Sequence, residues 1–253
     1  MNVATTVNQS NAVPLAQARA KVGLIIPSVN TYSEPQFNHF APEGLGIHVA
    51  RARVAGPWKR PLPDMAGEIA DAAKLLSDAH PDFIVFHCTD TSMTQGPTGE
   101  GRILDIVREA TGIDAMATSR LVLQALQTMG MKKFILLTPY RSNKAVIDYL
   151  DAAGLTVLRD RAMGLEAKDF GSVTPAQWAA MAKEMDGPDS DGVFLSCTNT
   201  TQIEAIPEIE RLLGKPVVNS NQAVLWGCVK RLQGSLAPLK PMPELGRLMQ
   251  HLN

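Results

Sequence analysis

Two cysteines carry the chemistry that this sequence offers. Cys88 lies in Asp82-Phe83-Ile84-Val85-Phe86-His87-Cys88-Thr89-Asp90-Thr91, and Cys197 in Asp191-Gly192-Val193-Phe194-Leu195-Ser196-Cys197-Thr198-Asn199-Thr200. The two stretches align at an offset of 109, from position 88 to position 197. Each reads as a short apolar strand that ends in a cysteine and enters a turn of hydroxyl and amide residues. A thiolate is a strong nucleophile and a thiol a usable acid. A pair therefore suits addition to a polarised carbon, or proton transfer on its two faces. Thr89, Asp90, Thr198 and Asn199, with the backbone N–H groups of their turns, are the expected substrate-binding set, since such turns seat a carboxylate. The same donors favour a thiolate, which predicts cysteine pKa values lowered from about 8.5 towards neutrality. Asp90, aligned with Asn199, opposes this, because a carboxylate beside Cys88 disfavours its anion.

Other residues carry weaker signals. His87 adjoins Cys88, but neighbours on a strand point to opposite faces, so a Cys–His dyad is not expected. Cys228 sits in a helical pattern without a polar turn and reads as an inert core thiol. The histidines show no ligand spacing with cysteines or carboxylates, so no metal site is expected. The Gly-rich run 96–102 lacks both the Lys-Ser/Thr ending of a P-loop and the spacing of a dinucleotide fingerprint, and reads as a mobile loop bordering the cleft. The Pro-rich run 54–63 carries Lys59 and Arg60 and reads as a loop able to cover a site. Arg51 and Arg53 alternate on a strand and are expected to face solvent.

The elements that must position the cysteines follow a strand–helix alternation. Apolar runs at 22–26, 47–54, 83–86, 115–117, 134–137, 155–158, 193–195 and 217–218 read as strands. Helical patterns fill 65–79, 103–110, 119–129, 143–153, 175–185, 202–213 and 222–232. This alternation predicts parallel sheets covered by helices. Gly112, Gly130, Gly154 and Gly214 stand where helices should stop in a left-handed cap. The repeat extends to both sides of the cysteines: Leu24-Ile25-Ile26 pairs with Ile135-Leu136-Leu137, and Gly112 with Gly214. The chain is thus expected to be an α/β protein of two pseudo-symmetric lobes, each a roughly four-stranded parallel sheet flanked by helices. The expected division is a flexible N-terminal arm over 1–20, a first lobe over 21–117 plus 222–253, and a second over 118–221. In parallel sheets ligands bind beyond the carboxyl ends of strands, so a two-fold packing puts both thiols on one inter-lobe cleft. Ser28 and Asn30 follow the first strand of one lobe and Tyr140 that of the other, where donors would orient a substrate.

Composition narrows the partners. The 253 residues are 45% apolar and 19% charged, enough to bury a core, and the net charge of −1 gives no basic surface for nucleic acid or an anionic membrane. No apolar run approaches the ~18 residues of a membrane span, and the N-terminus lacks a signal-peptide core. Three cysteines, an odd and sparse set, point to free thiols in a reducing, cytoplasmic compartment. A homodimer or higher homo-oligomer is the base-rate expectation.

Val22-Gly23-Leu24-Ile25-Ile26-Pro27-Ser28-Val29-Asn30-Thr31, then Glu34-Pro35, Phe37 and Ala41-Pro42-Glu43-Gly44, resembles the maleate cis–trans isomerase and arylmalonate decarboxylase family of the aspartate/glutamate/hydantoin racemase superfamily. The segments around Leu195-Ser196-Cys197, Ala205 to Glu210 and Gly214-Lys215-Pro216-Val217-Val218 resemble it too, so the likeness covers about residues 20–235. The resemblance implies two flavodoxin-like lobes, one cysteine from each, and no metal or organic cofactor. It implies that Cys88 adds to an alkene, that Cys197 handles the proton, and that Asn30 and Tyr140 bind carboxylate. The chain departs from the family's isomerases in Thr89-Asp90-Thr91-Ser92, where they are more apolar, and in 164–169, where they carry an Asn. Since decarboxylases of the family keep the second cysteine alone, both being present favours a maleate-type isomerase acting on a small (di)carboxylic acid through a thioether. A two-thiol racemase or epimerase, a malonate-type decarboxylase and a non-catalytic acid sensor are the alternatives.

Overall fold

Short runs of Val, Ile, Leu and Phe closed by Gly, Pro or a polar turn are what a buried parallel strand requires. The computed structural model of the chain describes residues 18–252 and makes strands of all eight such runs. In chain order the elements are β1 (Ala20–Pro27), α1 (Ser33–Phe40), β2 (Leu45–Ala52), α2 (Leu62–Ser77), β3 (Phe83–Phe86), α3 (Thr89–Thr94), α4 (Gly96–Thr111), β4 (Ala115–Ala117) and α5 (Thr118–Thr128), then β5 (Lys133–Thr138), α6 (Lys144–Ala152), β6 (Thr156–Ala162), α7 (Pro175–Met185), β7 (Val193–Leu195), α8 (Gln202–Leu213), β8 (Val217–Asn219) and α9 (Ser220–Leu232). The strands form two four-stranded sheets of identical order, β2-β1-β3-β4 and β6-β5-β7-β8, with every pairing parallel.

The duplication reaches individual hydrogen bonds. The Asp82 carboxylate accepts the Lys21 N–H at 2.7 Å, which fixes the start of β1 against β3. Asp191 does the same for β5, accepting the Lys132 and Lys133 N–H groups at 2.9 and 2.7 Å. Gly112 and Gly214 end α4 and α8 at φ 70° and 68°, a left-handed conformation that a Cβ would strain. On β1, Val22, Leu24 and Ile26 enter one core and Ile25 the other, the period-2 alternation of a sheet buried on both faces.

Several elements differ from the sequence expectation. The Gly-rich run 96–102 is the first two turns of α4 rather than a mobile loop, and none of it lines the cleft. Glu100 explains why. It is fully buried and accepts hydrogen bonds from Ser119 Oγ at 2.5 Å, Tyr149 Oη at 2.6 Å and Arg120 at 2.9 and 2.8 Å, tying α4 to α5 and α6. α1 and the six-residue α3 lack a helical apolar stripe and were not expected. β6 runs on through the charged segment Arg159 to Ala162, because an edge strand leaves its outer side to solvent ion pairs, here Arg159–Asp189 and Arg161–Glu184. The arm expected over 1–20 lies outside the described residues as far as residue 17, and Ala20 is already buried in β1.

β7 and β8 meet at Gly192, where an added Cβ would run into the Pro216 carbonyl oxygen. Gly192→Ala is therefore expected to destabilise the protein by about 1–3 kcal/mol, through overpacking of a strand contact. The midpoint of urea unfolding checks this.

Candidate active site

A parallel sheet opens a crevice where neighbouring strands send their connections to opposite sides. In both sheets that point lies between the first and third strands: β1 and β3 in one, β5 and β7 in the other. Asn30 follows β1 and Cys88 ends β3; Tyr140 follows β5 and Cys197 ends β7. These four residues line one cleft of about 1330 Å³ with Thr89, Asp90, Thr198 and Asn199. The repeat thus brings both thiols to a shared cavity. Ser28 does not line it; the Ser28 N–H extends the β1–β2 ladder to Ala52 O at 2.8 Å.

The two cysteine turns fold differently. After Cys88 the chain enters α3 directly, with Cys88 as its extended N-cap. The Cys88 thiol donates to Thr91 Oγ1 at 3.2 Å, and that hydroxyl donates to Val54 O at 2.8 Å. After Cys197 the chain bends without helix until α8, and the Asn199 N–H points at Cys197 Sγ at 3.3 Å. Bonds between the lobes hold this second turn. Asn30 Nδ2 donates to Thr198 O and Thr198 Oγ1, both at 3.1 Å. Asn199 Oδ1 accepts the Thr31 N–H at 2.8 Å, and Asn199 Nδ2 donates to Val29 O at 3.4 Å and, within its own lobe, to Ala167 O at 3.3 Å. Ser33 Oγ adds a bond to Thr198 O at 2.8 Å and Gln36 Nε2 one to Thr200 O at 2.8 Å. The amides of Asn30 and Asn199, expected as substrate donors, thus bond into a strut between lobes, while Thr198 Oγ1 accepts from Asn30 and keeps its own O–H beside the cleft. Arg51 is exposed, as expected, and from the surface it buttresses the strut, donating to Asn30 O at 2.5 Å and to Glu34 at 2.8 Å.

The first turn keeps donors in reserve. Thr89 is 1% exposed, lines the cleft, and its hydroxyl has no partner among the described residues. A buried hydroxyl without a partner costs about 1–3 kcal/mol, which a ligand oxygen would relieve. Tyr140 is buried, packs edge-on to Phe170 and lines the cleft with Cys197. The rim carries ion pairs: Lys59–Asp90, Arg141–Glu166 and Lys144–Asp148.

Burial dominates the electrostatics. Desolvation pushes the Cys88 thiol up to about 11 and Cys197 up to about 12, and Asp90 adds to the rise of each. The Thr91 contacts and Lys59 on one sulfur, and the Asn199 N–H and Tyr140 on the other, do lower these values, as the turns suggested. They are outweighed by desolvation, so burial works against the neutral-pH thiolates that the turns suggested. His87 is fully buried behind β3, 3.0 Å from Thr118 Oγ1 and 2.9 Å from Asn221 Oδ1, with burial lowering its pKa to about 4. It is a neutral structural residue with no contact to Cys88 Sγ. Cys228 is buried in α9, away from the cleft. Among the described residues no three His, Cys, Asp or Glu side chains cluster as metal ligands would, and no helix is long and apolar enough to cross a membrane. Sequence reasoning missed Thr91. Its position three residues after a strand-end Cys, at the third place of a helix start, was the available signal.

Comparison with known proteins agrees with this fold. A sequence model described as arylmalonate decarboxylase matches residues 22–240. The maleate isomerase of Geobacillus stearothermophilus is 27% identical over 231 residues, 84% of this chain and 91% of that protein. The arylmalonate decarboxylase of Bordetella bronchiseptica is 32% identical over 186 residues, 71% of this chain and 76% of that protein. Among solved structures, an arylmalonate decarboxylase superposes with a TM-score of 0.77 at 26% identity, covering 91% of this chain and 99% of that one. A mutant Nocardia farcinica maleate cis-trans isomerase with a covalently bound succinylcysteine intermediate shares the fold, with a TM-score of 0.80 at 23% identity over 91% of this chain and 98% of that one.

The duplicated positions Asp90 and Asn199 are not interchangeable. Asn199→Asp replaces an amide that donates to two carbonyls by a carboxylate that repels them. It is expected to destabilise the fold by about 2 kcal/mol, while Asp90→Asn costs well under half of that. Urea unfolding of the two variants checks the asymmetry.

Proposed function

The chain belongs to the arylmalonate decarboxylase family, and we propose that it is a cofactor-independent isomerase that moves a small unsaturated carboxylic acid, of maleate type, between cis and trans forms. The observation that carries this reading is that Cys88 and Cys197, from duplicated strand ends, line one cleft beside the unpartnered hydroxyl of Thr89. The succinylcysteine held by the Nocardia farcinica isomerase supports a thioether route.

The steps follow from the residues. Both sulfurs start as thiols. The substrate carboxylate takes hydrogen bonds from Thr89 Oγ1 and from exposed N–H groups of the first turn. Cys88 releases its proton to water and its sulfur forms a bond to one alkene carbon. The π electron pair moves to the neighbouring carbon, beside the bound carboxylate, whose donors stabilise the charge that develops there. That carbon takes a proton from the Cys197 thiol, whose high pKa keeps it protonated and ready as an acid. The former double bond is now single and rotates. The Cys197 thiolate then removes the proton, the pair re-forms the double bond, and Cys88 leaves as a thiolate that takes back a proton from water. Bonds and protons balance, with no redox partner. Tyr140, which lies on the cleft near Cys197 and favours its anion, steadies the thiolate while the intermediate lasts.

A second reading is decarboxylation of a malonate-type acid, in which Cys197 alone protonates the enediolate after CO₂ leaves. The 32% identity to an arylmalonate decarboxylase favours it, as does a cleft roomier than a four-carbon diacid needs.

Proton NMR in D₂O with maleate, substituted maleates and malonates separates the two. Isomerisation moves the alkene signals; decarboxylation yields an α-deuterated monoacid. Cys88→Ser is expected to abolish isomerisation, and Cys197→Ser to slow it about 10²–10⁴-fold while leaving substrate mass on the Cys88 peptide. Full isomerase activity in Cys88→Ser, or decarboxylation unaffected by loss of Cys88, would reject the first reading.

A further inference from the structure

Asp90 has no counterpart to the strut role of Asn199. Its carboxylate lies two residues from Cys88, on the cleft, and disfavours the thiolate there. A charge so placed would handicap the nucleophile unless something answers it. Lys59 does. Its ammonium donates to both Asp90 oxygens, at 2.9 and 2.7 Å, and to Thr94 Oγ1 at 3.1 Å. The Thr94 hydroxyl donates in turn to Asp90 O at 2.7 Å, so the three groups form a closed unit.

Lys59 arrives on the loop between β2 and α2, and that loop touches α3 twice. Its root, Val54 O, holds Thr91 Oγ1, the group that accepts the Cys88 thiol proton. Its tip, Lys59, holds Asp90. Both contacts flank Cys88. The other titratable groups near this thiol are Tyr140 and Cys197 from the facing lobe, neither of them cationic. His87 is neutral and turned behind the strand. Of the remaining rim cations, Arg141 and Lys144 pair with Glu166 and Asp148, and Lys168 lines the cleft but is not among the charges that act on Cys88. Arg60, the loop's second cation, bonds Glu68 and main-chain carbonyls of 53, 58 and 64.

We propose that Lys59 is a positioning residue for the reactive thiol: by neutralising Asp90 across the cleft rim, it sets how readily Cys88 gives up its proton, and so couples the 54–63 loop to nucleophile strength. Lys59 touches neither sulfur and acts through Asp90. The inference rests on the proposed nucleophilic role of Cys88 for its meaning. Its test reads the thiol without substrate, so a protein that failed to isomerise anything would leave the test intact.

The test is iodoacetamide alkylation of the intact protein as a function of pH, resolved by peptide mass spectrometry so that Cys88, Cys197 and Cys228 are followed separately. At a fixed alkaline pH, Lys59→Met is expected to slow alkylation of Cys88 about tenfold, the effect of one pKa unit, and Asp90→Asn to speed it by a similar factor. Lys59→Arg, which keeps the charge, should stay near the parent rate, and Cys228 should not respond to any of them. A Cys88 rate unchanged in both Lys59→Met and Asp90→Asn would overturn the proposal. So would a faster rate in Lys59→Met, because a lysine that merely holds the loop down would admit water on removal and ease ionisation.

Discussion

A buried polar strut between two duplicated sheets is the constraint on which everything else here depends. Apolar packing joins the lobes but is non-directional and would tolerate many relative orientations. The amides of Asn30 and Asn199 do not. They bond main-chain atoms of Thr198, Val29 and Thr31 across the lobes in one geometry, and a shift of either lobe leaves several buried groups without partners. Each such loss costs about 1–3 kcal/mol, so the register between lobes is sharply defined. Because the strut residues directly follow Cys197 and β1, fixing the lobes also fixes the thiols.

That arrangement divides the labour between two turns that share a pattern. The second turn is structural in its side chains and chemical in its sulfur. The first is open to the cleft, with an unpartnered hydroxyl at Thr89 and a charged pair at Asp90 and Lys59. Duplication supplied the symmetric frame, and divergence at one position, Asp against Asn, separated the roles. Burial then favours the protonated form of both sulfurs.

Much of this was legible in the sequence, for identifiable reasons. The eight strands announce themselves because parallel strands buried on both faces need continuous apolar runs. The two-lobe plan follows from the repeat around Cys88 and Cys197, since two strand–helix frames matching at an offset of 109 place both cysteines at equivalent strand ends. What the residue string withholds is partner identity. Asn199 looks like a ligand donor, and only tertiary geometry reveals that its amide already donates to the carbonyls of Val29 and Ala167. Gly96 to Arg102 has loop composition, yet Glu100 anchors it as helix through groups 19 to 49 positions away. The thiol pKa values went the other way from expectation because local donors are visible in sequence and desolvation is not.

The most direct measurement is a crystal structure of the protein soaked with maleate or a saturated four-carbon analogue. The account predicts a carboxylate oxygen within hydrogen-bond distance of Thr89 Oγ1, with the sulfurs of Cys88 and Cys197 on opposite sides of the carbon chain. A ligand seated away from Thr89, or one sulfur turned out of the cleft when it is filled, would contradict it.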